Sequence, residues 1–144
     1  MPSYIQLADA QGHLKVSFAR LYALPADQAD FDSDVAFVEA AVNADVGKRY
    51  IVPVTAPADA ITLLRGLALD LFAERAFTTR SAGTEIPKRV KDAADVARAS
   101  LHDIAKGAKS LAGAAAPENP DAGGAAQIVS GNPPQFRRDD LEGF

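Results

Sequence analysis

The sequence predicts an all-α fold: a small helical bundle of about four helices with an extended, flexible C-terminal tail. Two observations predict the bundle. Apolar residues recur at spacings of three and four along much of the first 111 residues, the period of one helix face. The short β-branched stretch Ile51-Val52-Pro53-Val54 holds a proline and reads as an extended connector, not a central strand. A third observation predicts the tail. From Ala112 to Ala126 the chain turns to alanine, glycine and proline, with too little apolar surface to offset the entropy of ordering it. The expected organisation is a helical domain over 1–111, a flexible linker over 112–126 and an extended docking tail over 127–144.

Taken in order, Gln6 to Leu24 reads as one or two short helices broken near Gly12, with Val16, Leu21 and Leu24 as inward candidates. Pro25 and the acidic stretch Asp27 to Asp34 read as a loop, in which Asp32 or Ser33 caps the next helix. The alternating Asp30, Asp32 and Asp34 resemble a calcium loop only superficially, since the glycine and closing glutamate are missing. A helix from about Ser33 to Gly47 places Val35, Val38, Val42 and Val46 on one face and stops at glycine.

Pro57 suits the first turn of a further helix, and Asp59 suits its positive start. There Ile61, Leu64, Ala68, Leu71 and Phe72 form a stripe that Leu63, Leu67 and Leu69 widen almost to the full circumference. Such a helix is central in its domain, or is covered in part by another subunit. The last helix starts near Ile86 or Pro87. Val90, Ala94, Ala97, Leu101, Ile104, Ala108 and Leu111 alternate gaps of four and three, a heptad seam that packs on the other helices or on a neighbouring copy.

Composition narrows function. Fifteen basic and nineteen acidic residues give −4, against the basic excess of a general nucleic-acid binder. No cysteine is present, so thiolate chemistry and disulfides are absent. The start Met1-Pro2-Ser3-Tyr4 does not read as a signal peptide, and no apolar run approaches the length of a membrane span, so a soluble, cytoplasmically made product is expected. No nucleophile elbow, phosphate loop or metal-ligand spacing stands out around His13 or His102, so no catalytic residue, cofactor or metal is expected. Lys88, Arg89 and Lys91 place positive charge at a helix start, where the dipole disfavours it. They and Lys48, Arg49 and Tyr50 are either solvated or contact an acidic partner, DNA phosphates or a neighbouring subunit.

Two stretches carry a resemblance. One is Asp45-Val46-Gly47-Lys48-Arg49-Tyr50-Ile51-Val52-Pro53-Val54. The other is Val129-Ser130-Gly131-Asn132-Pro133-Pro134-Gln135-Phe136-Arg137-Arg138-Asp139, closing on Gly143-Phe144. Together they resemble the small head–tail connector (neck adaptor) proteins of Mu-like bacteriophages and prophages. That family carries a Gly-Arg-Tyr-Pro-Leu-Pro type segment after its second main helix. Its members often end in Phe-Ser-Arg or Phe-Arg-Arg followed by Gly-Phe. Here Lys48 intervenes between Gly47 and Arg49, and Ile51-Val52 replaces the first proline.

The resemblance implies a non-enzymatic adaptor at the head–tail junction of the virion, made in the host cytoplasm. It implies a homo-oligomeric ring, commonly twelvefold, beneath the portal protein. Such a ring extends the DNA channel, lets genomic DNA pass without sequence-specific contact, and meets a stopper or other neck or tail protein; no membrane is involved. The tail would dock on the portal through Ile128, Val129, Phe136, Arg137, Arg138, Leu141 and Phe144. A stopper or tail-completion role in the same neck and a small non-virion DNA-binding or regulatory domain are the other two readings. Salt-sensitive duplex binding would mark the last.

Overall fold

The computed structural model describes residues 3–81 and 85–117, and they form an all-α bundle of five helices. These are α1 (Leu7–Leu14), α2 (Val16–Leu21), α3 (Gln28–Val46), α4 (Ala58–Arg80) and α5 (Lys88–Lys106). The all-α expectation holds. The tail over 127–144 and most of the linker lie outside the described residues.

The apolar helix α4 is central: it touches each of the other four helices. Leu64, Leu67, Ala68 and Phe72 are buried on it, while Ile61, Leu63, Leu69 and Leu71 are partly covered. Ala60, Ala73 and Ala76 are also buried, and such small side chains let neighbouring backbones approach. Pro57 is the N-cap instead of a first-turn residue, with Asp59 in the first turn as expected.

The seam of α5 is satisfied within the chain. Val90, Ala94, Ala97, Leu101 and Ile104 are buried as α5 packs on α4 and α3. Ala108 departs from the expected seam: α5 ends at Lys106, Gly107 turns left-handed at φ 83°, and Ala108 is exposed. Leu111 is nonetheless buried, because the chain folds back after the turn. Tyr50 Oη accepts the Leu111 N–H at 2.9 Å, and Ile51 N–H donates to the Ala115 carbonyl at 2.8 Å. The packed domain therefore runs past residue 111, with Ala114 against the core.

The acidic stretch is the main correction. Asp27 to Asp34 is not a loop beyond its first residue, since α3 begins at Gln28 and Asp32 and Ser33 lie exposed inside it. Phe31 extends the buried face backward, four residues before Val35. The N-cap is Asp27, whose Oδ2 accepts the Ala23 N–H at 2.7 Å. The break in the first segment also moves. Gly12 stays within α1, and the turn falls at Lys15, at φ 52°. That turn carries Phe18 into a cluster with Tyr22, Phe31 and Phe72, with ring centroids 5.4–5.9 Å apart. Val16, expected to point inward, is 80% exposed.

Polar contacts fix the order of the helices. At one end Arg80 of α4 pairs with Asp27 and Asp30 at 2.8 Å each. At the other, the N-terminal arm docks on α3: Tyr4 Oη donates to Asn43 Oδ1 at 3.0 Å and accepts the Val54 N–H at 2.8 Å. So α4 runs antiparallel to α3 and α5, while Asp9–Arg65 (3.6 Å) and His13–Asp70 (3.3 Å) set α1 parallel to α4.

Candidate functional site

The sequence-predicted contact residues divide into three groups. Ile128, Val129, Phe136, Arg137, Arg138, Leu141 and Phe144 lie outside the described residues. Lys48, Arg49 and Tyr50 follow α3 and sit where α5 ends. Lys88, Arg89 and Lys91 occupy the first turn of α5. The 19 residues of α5 rise about 27 Å, so the two basic groups mark opposite ends of the bundle and form no single patch.

Within the first group of cations, roles differ. Lys48 Nζ pairs with Asp45 at 3.0 Å on an exposed turn. The Arg49 guanidinium lies against Gly107, so closely that a Cβ there would collide with it. Tyr50 is half-buried and its hydroxyl accepts the Leu111 N–H, which makes it a strut of the C-terminal segment.

Of the second group, Arg89 lines a cleft of about 530 Å³ that no sequence feature announced. It opens between the α1–α2 turn, the outer half of α4 and the start of α5. Leu14, Ala73 and Val90 give it an apolar floor, and His13, Lys15, Asp70 and Arg89 give it polar walls. Burial raises the Asp70 carboxyl above the usual aspartate range, and the charge of His13 works against that shift. Lys15, Lys88, Arg89 and Lys91 make no ion pair among the described residues. Two of these, Lys15 and Arg89, line the cleft itself, alongside Asp70 and His13. The features behind it are far apart in sequence, so no local motif could have shown it.

A second group missed by sequence reasoning is the buried carboxylate Asp34, 5% exposed. Tyr22 Oη donates to its Oδ2 at 2.7 Å and Arg75 Nε to its Oδ1 at 3.1 Å. The Thr79 hydroxyl lies 3.1 Å from Oδ2 and 2.9 Å from the Arg75 carbonyl, and can donate to one at a time. Burial, then the hydrogen bond and charge of Asp34, push the Tyr22 phenol far above its ordinary range. Arg75 also stacks on Phe37, 4.0 Å from the ring centre. The available signal was an acid on the same helical face as Phe31, Val35 and Val38.

Chemically, Asp34 is a clamp between α2, α3 and α4. No buried side-chain nitrogen or oxygen among the described residues lacks a partner. Nor do the described residues bring three or more histidines and carboxylates together to hold a metal. What the surface offers is a cationic, apolar-floored cleft at one end and a braced chain exit at the other. Compared with protein-family models, curated proteins and solved structures, the chain matches none.

Proposed function

We propose that this protein is a structural head–tail connector of a tailed phage, joining capsid to tail as a ring beneath the portal. The observation that carries the reading is the terminal run Val129-Ser130-Gly131-Asn132-Pro133-Pro134-Gln135-Phe136-Arg137-Arg138-Asp139 with Gly143-Phe144, in its place behind a helical domain and a linker. The all-α bundle is consistent with it. So is the braced exit, where Tyr50 and Ile51 hold the chain just before the linker. An adaptor must transmit force from its tail to its body, and a fixed exit point does that.

The way copies meet follows from what the core leaves over. Apart from Ala108 the heptad seam is buried within the chain, and among the described residues the large exposed apolar residues Val16, Phe37, Ile51 and Val96 lie on four different segments. Ring contacts therefore rest on polar and charged surfaces and on the tail, not on an unfinished core. A heterologous contact of that kind repeats until it closes.

Purified protein mixed with portal and viewed by averaged electron micrographs or native mass spectrometry tests the reading. The expected result is a stoichiometric ring on the portal, lost when residues 127–144 are deleted while the helical spectrum stays. A protein that ignores portal at high concentration overturns it. Crosslinks to a tail component in place of portal would move the role to stopper or tail completion.

A further inference from the structure

We propose that the cleft between the α1–α2 turn and the start of α5 is a docking site for the acidic end of this same chain, Asp139-Asp140-Leu141-Glu142-Gly143-Phe144. The inference is independent of the connector reading, since it concerns the isolated protein. Three observations on the two surfaces carry it.

Charge is the first. Asp139, Asp140 and Glu142 place three negative charges in six residues, and the rest of the chain nets only −1. The cleft is lined by Lys15 and Arg89, neither of them ion-paired among the described residues, and Lys88 and Lys91 share the first turn of α5 with Arg89. The carboxylate of the wall, Asp70, already faces His13 at 3.3 Å. The acidic end of the sequence thus meets two unpaired cations, Lys15 and Arg89, on the walls of one cleft.

Shape is the second. The cleft is not a flat basic face: Leu14, Ala73 and Val90 line its floor and Phe77 its side. Leu141 and Phe144 are spaced three apart among the acids, so one segment supplies both charge and apolar anchors. An inorganic anion or a nucleic-acid backbone would satisfy the rim and leave the floor wet.

Reach is the third. The described chain departs at the far end of the bundle, where Ile51 holds Ala115. The cleft lies about 27 Å away along α5. Residues 118–138 provide 21 links, and a coil of that length has a root-mean-square span of about 25 Å. Effective concentration is highest when the mean span of a tether matches the gap it must cross. A segment of the same chain is therefore favoured over one from a second copy. The consequence is regulatory: Leu141 and Phe144 are covered in the free protein, and a partner that takes the tail must first displace it.

The absence of cysteine makes a clean test possible. A nitroxide is attached to the full-length Gly143→Cys chain, and amide line broadening is read at Val16, Val90 and Ala93. The expected result is loss of most of their intensity, with Asn43 and Ala44 at the far end retained. Lys15→Glu with Arg89→Glu should restore the signals, and adding Asp139→Lys with Asp140→Lys should abolish them again. Both cleft residues are exposed, so unshifted amides elsewhere establish that the variants are folded. Uniform weak broadening, or broadening insensitive to the charge reversals, overturns the proposal. So does broadening that arises only when spin-labelled and isotope-labelled copies are mixed, which would assign the cleft to a second copy. Loss of portal binding with an intact cleft signal would instead count against the connector reading alone.

Discussion

Tyr22 Oη donates a hydrogen bond to Asp34 Oδ2 at 2.7 Å, from within a cluster of aromatic side chains. This contact joins the short helix α2 to α3 across twelve residues of chain, and Arg75 and Thr79 attach the same carboxylate to α4. A charged group this deep is tolerable only because both its oxygens are engaged. Replacing Asp34 with alanine should therefore strand the buried Tyr22 hydroxyl and take the carboxylate from Arg75, while Thr79 can turn to the Arg75 carbonyl. The expected loss is about 3 kcal/mol, at the low end for a buried ion pair because Arg75 retains some solvent. Tyr22→Phe removes one donor and leaves Arg75 and Thr79, for about 1–2 kcal/mol. Urea titrations of the three proteins check both the order and the gap; equal losses would refute the clamp.

Alkaline pH should loosen the same joint. The Tyr22 phenol is raised, by burial first and the Asp34 carboxylate second, so the folded protein keeps this proton where the unfolded chain has released it. Its stabilisation is complete below the unfolded phenol value near 10 and is lost as pH climbs toward the folded one. Burial raises Tyr4 in the same direction, so it shares the effect. Stability measured from pH 9 to 11 should fall with rising pH, and Tyr22→Phe should flatten part of that slope. An unchanged slope in the variant would mean that Tyr22 is not the linked group.

The same cluster shows where sequence reasoning worked. Val35, Val38, Val42 and Val46 follow one helical period, and so do Val90, Ala94, Ala97, Leu101 and Ile104; all are buried as that period implies. Residues 27–34 misled because four aspartates look like solvent-exposed loop. Tertiary contact won over local composition: Arg80 neutralises Asp27 and Asp30, and Tyr22 with Arg75 satisfies Asp34. Those partners lie 12 to 53 residues away in sequence, where periodicity carries no information. The cleft was invisible for the same reason. Of the residues singled out for contact, Arg89 borders it, yet its companions Lys15 and Asp70 come from two other elements. Tyr50 carried a motif resemblance but also a structural duty to Leu111.

Gly107 should resist substitution for a backbone reason. Its φ of 83° is open to glycine and strained for alanine, and the new Cβ would also press on the Arg49 guanidinium. The guanidinium is the far end of a flexible chain and can swing aside, whereas the backbone angle cannot relax without unwinding the cap. Gly107→Ala should cost about 1 kcal/mol. In a double-mutant cycle with Arg49→Ala the coupling should stay under about 0.5 kcal/mol. A larger coupling would place the cost in the side-chain collision.

Asp70 invites the opposite expectation. Burial raises its carboxyl, so the folded protein favours the neutral form and charging it at pH 7 works against folding. The stability deficit appears as pH rises through the folded value and is absent below the unfolded one. The contact to His13 at 3.3 Å is partly exposed and offsets this by at most about 1 kcal/mol. Asp70→Asn should therefore be as stable as the parent or slightly more so at pH 7, and should lose the gain in stability that the parent shows on mild acidification. A clearly destabilised Asp70→Asn protein would assign the His13 contact a larger share.

Tyr50 offers the sharpest test of how the chain leaves the bundle. Among the described residues beyond Gly107 no helix holds the chain, and Leu111 is buried with its N–H donating to the Tyr50 hydroxyl at 2.9 Å. The ring packs beneath that contact and the next residue, Ile51, bonds Ala115, so one short stretch braces both turns of the exit. Tyr50→Phe keeps the ring and removes the acceptor, leaving the Leu111 N–H unpaired. The expected cost is about 1 kcal/mol, and it should be local. Hydrogen exchange at Leu111 and Ile51 should quicken, while Val42, Phe72 and Leu101 in the core keep the protection set by global unfolding. Uniform acceleration across the core would mean that the exit segment folds as one unit with the bundle. Unchanged exchange at Leu111 would mean that apolar burial alone, and not the Tyr50 hydroxyl, holds the chain there.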